Sequence, residues 1–138
     1  MARDAFIDTA GWYALIDRRD STHATTRETV EQLIHEGARL VSTDYVIDES
    51  CTLAKVRAGS RAALQLLDLV NGTAALDIEW IGADRFDRAE ALFRKYRDQA
   101  FSFTDCTSFV VMRELRIEQA LTTDRHFAQM GFQALPVA

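Results

Sequence analysis

The chain has 138 residues, of which 48% are hydrophobic and 27% charged, with one proline and a formal net charge of −5. That is enough chain to bury one core without disulfides or a structural metal. The composition excludes a disordered protein, and no apolar run approaches the roughly 20 residues of a membrane-spanning helix. The acidic balance, with sixteen Lys and Arg scattered along the sequence, excludes a nucleic-acid binder that works through a broad basic face; a phosphodiester substrate would need another attraction, such as bound cations.

Ala5-Phe6-Ile7 is a short apolar run that stops at Asp8-Thr9, and Trp12, Leu15 and Ile16 then recur at helical spacing. This predicts a buried strand followed at once by a helix. Asp20-Ser21-Thr22 is a turn and cap signal opening a helix from about Thr22 to His35, with Ala24, Val30, Leu33 and Ile34 inward and Gly37 closing it. Arg39 to Ser42 forms a second strand, and a strand, helix, strand sequence implies a parallel pair.

Thr43 or Asp44 can cap the next helix, Tyr45 to about Arg57, whose apolar positions Val46, Ile47, Leu53 and Val56 leave Glu49 on or beside the inward face. Ser60 opens a further helix, with Ala63, Leu64, Leu67 and Val70 on one side and Asn71-Gly72 at its end. Leu76 to Ile81 alternates apolar with acidic residues and reads as a half-exposed third strand. Ala83 to Tyr96 reads as a helix burying Phe86, Ala89, Leu92, Phe93 and Tyr96.

The stretch from Phe101 to Phe127 places Asp105 in the first turn of an apolar helix and Asp124 just past a short strand. Phe132 to Leu135 is a last edge strand, with Pro136 tolerated at its end. The whole is a single domain over residues 1–138, an α/β three-layer sandwich around a mostly parallel sheet of four or five strands. Cys51 and Cys106, outside any CxxC, read as reduced buried thiols. The N-terminus has no signal-peptide pattern, so a cytoplasmic protein is expected.

In folds of this class ligands sit beyond the carboxyl ends of the strands. Asp8 and Asp124 fall at that edge, and Glu49 and Asp105 lie on helices that begin there. Two like charges about 4 Å apart cost on the order of 4 kcal/mol at an effective dielectric near 20, so such a cluster calls for cations. Oxygen-only ligands favour Mg²⁺ or Mn²⁺, which can activate water and stabilise a phosphoryl transition state without a side-chain nucleophile.

The ordered set Phe6-Ile7-Asp8-Thr9, Asp20-x-x-His23-x-x-Thr26, Val46-Ile47-Asp48-Glu49, Phe103-Thr104-Asp105 and Leu121-Thr122-Thr123-Asp124-Arg125-His126-Phe127 resembles the PIN-domain ribonucleases, and among them the VapC-type toxins of bacterial toxin–antitoxin pairs. The resemblance implies metal-binding or catalytic roles for Asp8, Glu49, Asp105 and Asp124, with Thr9 and Thr122 as hydrogen-bonding supports. It further implies metal-dependent cleavage of RNA to a 5′-phosphate and a 3′-hydroxyl, a homodimer, and a small cognate antitoxin whose C-terminal segment enters the acidic cleft. Thr26 departs from the family's usual small residue.

Each acid also has a plainer reading. Asp8 and Asp124 can be helix caps, Asp105 a first-turn acid favoured by the helix dipole, and Asp48 is the solvated neighbour of Glu49. His23 packs beside the first helices and His126 orders a loop. Arg18, Arg57, Arg61, Arg113 and Arg125 are candidate phosphate contacts among which the sequence does not choose. Three alternatives compete with the toxin: a PIN nuclease of RNA processing or decay without an antitoxin, a catalytically dead interaction module, disfavoured because all four acids are present, and a receiver-like phosphoacceptor domain. The last needs a lysine after a late strand, a position neither Lys55 nor Lys95 occupies.

Overall fold

A computed structural model describes residues 3–136. Five parallel strands, β1 (Ala5–Ile7), β2 (Leu40–Thr43), β3 (Leu76–Glu79), β4 (Gln119–Leu121) and β5 (Gln133–Leu135), form one sheet in the order β3-β2-β1-β4-β5. The connections are helical: α1 (Thr9–Ile16), α2 (His23–His35), α3 (Asp44–Ala58), α4 (Ser60–Gly72), α5 (Gly82–Lys95), α6 (Phe103–Leu115) and the short α7 (Arg125–Gln129). Every residue of β1, β2 and β4 is buried, as parallel strands covered by helices on both faces require. The expected α/β sandwich is thus confirmed, with five strands, all parallel.

Phe6, Trp12, Leu40, Phe109, Met112 and Phe127 form the bulk of one continuous core. From Cys106 to Met112 every residue of α6 is buried, polar Thr107 and Ser108 included. Those two hydroxyls are satisfied by donating to the Thr104 carbonyl inside the same helix, so the middle of the helix can lie in the interior. Burial also pushes the Cys106 thiol up to about 11, an unreactive group, while Cys51 is only half-buried.

Several expected inward faces are corrected. Ala24 and Ile34 of α2 are exposed, and Thr26 is buried with Leu33. On α4 the buried residue is Leu66, whereas Leu64 and Leu67 face out, and Val56 of α3 is 78% exposed. Part of the reason is tertiary: α3 and α4 pack on each other, and Ile34 and Leu69 line an open cavity of about 710 Å³ among α1, α2 and α4. Phe86 and Phe93 are partly exposed while packing on Phe103. β3 ends at Glu79, and Trp80, beyond it, is largely exposed.

Candidate active site

The strand order reverses direction between β1 and β4, since the chain builds β2 and β3 to one side of β1 and β4 and β5 to the other. A cleft opens beyond such a switch point because the following segments diverge. Asp8 follows β1, and Thr122 and Asp124 follow β4. The four sequence-predicted acids, Asp8, Glu49, Asp105 and Asp124, all line one cleft of about 230 Å³ there, with Thr9, Tyr13, Asp20 and Arg57.

Asp8 is the N-cap of α1, its Oδ1 accepting from the Gly11 N–H at 2.8 Å. Its Oδ2 accepts from the Thr122 hydroxyl at 2.6 Å, and the same hydroxyl oxygen accepts from the Asp124 N–H at 2.8 Å. The start of α1 is fixed by a second chain, in which the Trp12 indole N–H donates to Ser42 Oγ at 3.1 Å and the Ser42 hydroxyl to the Ile7 carbonyl at 2.8 Å. Gly11 allows the helix this close, because a Cβ there would lie 2.2 Å from the Leu121 carbonyl oxygen.

Asp105 is the third residue of a capping box at the start of α6. The Ser102 hydroxyl accepts from the Asp105 N–H, and Asp105 Oδ2 accepts from the Ser102 N–H at 3.0 Å. Asp124 caps α7, its Oδ1 accepting from the His126 N–H at 2.9 Å. Glu49, in the second turn of α3, is held by the Thr9 hydroxyl, which donates to Oε1 at 2.7 Å. The plain capping readings and the site readings therefore coincide: Asp8, Asp105 and Asp124 are cap carboxylates, and helix N-termini are where negative charge is least costly to gather. Glu49 is exposed, as is Asp48 beside it, so its place on α3 is at the cleft rim and not on the inward face.

The cluster is electrostatically unfinished. Burial pushes the Asp8 carboxyl up to about 7, against the lowering effect of Thr122 and Gly11, with the Asp124 and Asp105 charges adding to the rise. Burial likewise raises Asp105. Among the described residues no lysine or arginine forms an ion pair with any of the four acids. His126 alone approaches them, its Nδ1 lying 2.9 Å from Asp105 Oδ2 and 3.2 Å from Asp124 Oδ2, and its ring packing edge-on against Phe101. With both carboxylates ionised that nitrogen must carry the proton, since a carboxylate only accepts.

His126 thus does more than order a loop: it stands inside the acidic group, and the three side chains can bring one ligand atom each within 4.8 Å of one another. The sequence signal was present in its position two residues after Asp124. His23 is where packing placed it, with Nδ1 2.7 Å from the Ala14 carbonyl. The donor set, predominantly carboxylate oxygen with the ligands incompletely used, fits a hard divalent cation.

An all-parallel α/β sheet with an acidic, cation-suited cleft at its switch point is the layout of a PIN-type nuclease. Residues 5–133 match the family model described as the PIN domain. The 23S rRNA-specific endonuclease VapC20 of Mycobacterium tuberculosis is 30% identical over 127 residues, covering 92% of this chain and 94% of the relative. The crystal structure of M. tuberculosis VapC20, described as a sarcin–ricin loop cleaving toxin, superposes with a TM-score of 0.85 at 28% identity, covering 94% of this chain and 96% of that one. VapBC2 from Rickettsia felis, bound to a promoter DNA fragment, shares the fold alone, with a TM-score of 0.68 at 10% identity over 94% of this chain and 96% of that chain. The chain belongs to the PIN-domain family and is of its VapC type. The receiver-like alternative falls away with that membership, and Lys55 and Lys95 indeed lie in α3 and α5.

Proposed function

We propose that this VapC-type PIN nuclease is the toxin of a toxin–antitoxin pair, cleaving RNA with Mg²⁺ or Mn²⁺, and that its target is a structured loop of 23S rRNA of the sarcin–ricin kind. The observation that carries the chemistry is the convergence of Asp8, Glu49, Asp105 and Asp124 on one cleft, with no lysine or arginine among the described residues paired to them. The target rests on the VapC20 relatives, matched over nearly the whole chain.

Asp8, Asp105 and Asp124 would hold the ion, with Glu49 at the rim and His126 between two of the acids. When bound, the ion supplies Lewis acidity toward the scissile phosphate and toward the attacking water. The chain's own residues supply orientation. Thr122 fixes both oxygens' directions at Asp8 together with Gly11, Thr9 turns Glu49 toward the cleft, and Ser102 locks Asp105 against rotation. Hydrolysis then leaves a 5′-phosphate and a 3′-hydroxyl.

A basic antitoxin segment suits the acidic cleft of a protein with net charge −5. A homodimer is proposed on the family pattern, with the exposed apolar side chains Val56 and Leu64 on consecutive helices favouring a covered face. No helix among the described residues is long and apolar enough to cross a membrane, and a ribosomal RNA substrate would favour action in the cytoplasm. Incubating purified protein with ribosomes and Mg²⁺ or Mn²⁺, and mapping new 23S rRNA ends by primer extension, tests the reading. Cuts confined to the sarcin–ricin loop and lost in EDTA are expected; intact RNA at millimolar metal overturns it.

A further inference from the structure

The two walls of the cleft differ in chemistry. One carries Asp105 and Asp124; the other, built by α1 and α3, carries Tyr13, Leu53 and Arg57 beside the acid Glu49. Arg57 lies in the last turn of α3, with its guanidinium over the Tyr13 ring, 5.4 Å from the centroid. The Tyr13 hydroxyl donates to Asp17 Oδ2 at 2.8 Å, which fixes the ring.

A guanidinium laid on an aromatic face is held by the ring quadrupole and keeps its in-plane N–H donors directed outward. Seven of the fourteen arginines spend such donors on carboxylates, as Arg85 does on Glu79 and Glu114. Arg57 forms no such pair among the described residues, although it lines the cleft that holds the four acids. Of the five arginines that the sequence offered, Arg57 alone lines this cleft, while Arg18 lines the separate cavity among α1, α2 and α4.

Building on the nuclease reading, we propose that Arg57 is the substrate-binding cation of the cleft. Seated on Tyr13, it takes a backbone phosphate flanking the scissile one through its in-plane donors, and so directs the RNA strand along the α1–α3 wall toward the acids. This resolves how a protein of net charge −5 draws a polyanion into a carboxylate site. A bound cation would offset the charge of the reacting phosphate, and Arg57 that of the next one. Tyr13 is a positioning residue.

Cleavage kinetics on a sarcin–ricin stem-loop oligoribonucleotide, measured against salt concentration, test this. Arg57→Ala is expected to raise KM about tenfold with kcat within about threefold, and to make the plot of log(kcat/KM) against log salt shallower by about 0.7, the loss of one phosphate contact on a single strand. Arg57→Lys should keep the slope with an intermediate KM, because an ammonium keeps the charge and loses the fork. Tyr13→Leu should raise KM several-fold, and Tyr13→Phe, which keeps the ring but loses the bond to Asp17 that fixes it, should raise KM by less. If Arg57→Ala melts early, Arg57→Gln, which keeps much of the stem, carries the same comparison. An unchanged KM and slope in these Arg57 variants, with active wild-type protein, overturns the Arg57 assignment alone. A wild-type protein inactive with both metals overturns the nuclease reading and this one with it.

Discussion

The Thr122 hydroxyl donates to Asp8 Oδ2 at 2.6 Å while accepting from the Asp124 N–H at 2.8 Å, so one side chain after β4 sets the carboxylate after β1 and the turn that carries another acid. The first bond crosses the switch point of the sheet, the place where chain connectivity itself supplies no link, and the second holds the turn after β4. Thr122→Val keeps the shape and removes both. Partners that orient metal ligands typically account for 10- to 100-fold in affinity or activity, and a loss of that size is expected in RNA cleavage titrated with Mn²⁺. Thr122→Ser, which restores the hydroxyl, should recover most of it. Equal activity in the Val and wild-type proteins would show that Asp8 needs no such support.

The buried Asp8 carboxyl dictates a pH dependence of stability. Its folded pKa, raised to about 7 from the ordinary carboxyl value of 3.8, means that between those values the folded chain holds a proton that the unfolded chain has released. Raising the pH then favours unfolding. The stability that protonated Asp8 confers is fully present below about pH 4 and lost as pH passes through 7, a difference on the order of 4 kcal/mol, with Asp105 acting in the same direction. Asp8→Asn should abolish RNA cleavage and, in EDTA, should flatten this decline and melt higher than wild type at pH 8. Thermal melts from pH 4 to 8 check it; an Asn variant that melts lower at pH 8 contradicts the account.

The acids were legible in sequence because each sits at a junction the chain must mark. Asp8 ends an apolar strand, Asp105 lies three residues after a cap serine, and Asp124 follows a strand and opens a turn. The helix faces of α2 and α4 were less legible. A run such as Leu64, Leu66, Leu67 and Leu69 is apolar on several sides, and only the packing of α4 on α3 selects Leu66 for the interior. Arg57 on Tyr13 and His126 against Asp105 were hidden for another reason. These contacts pair segments 44 and 21 residues apart, and no local pattern marks such a pair.

Metal binding should appear as a gain in stability. A cation that binds only the folded cluster stabilises it by about 2.7 kcal/mol at 100 times its Kd, which for a chain of this size raises Tm by on the order of 10 °C. Titration with MnCl₂ at pH 7.5, followed by EDTA, should show a saturable and reversible rise. Asp105→Asn should shrink the rise strongly, because it removes one of the charges around His126. A wild-type Tm insensitive to millimolar Mn²⁺ and Mg²⁺ would refute cation binding by the four acids.

Gly11 tests whether the site depends on the close approach of α1 to the sheet. A Cβ at this position would sit 2.2 Å from the Leu121 carbonyl oxygen and 3.0 Å from its carbon, both backbone atoms that cannot rotate aside. Gly11→Ala must therefore lift the first turn of α1 from the end of β4. Overpacking of this kind costs about 1–3 kcal/mol or more, larger than the modest gain in helix propensity from Gly to Ala. The displacement also pulls the Gly11 N–H and the Asp8 carboxylate away from Thr122, so activity should fall further than stability alone explains. Denaturant melts give the first quantity, and cleavage rates measured well below the melting temperature give the second. A Gly11→Ala protein with unaltered stability would mean that α1 can move outward at no cost, and that the switch-point contact does not position Asp8.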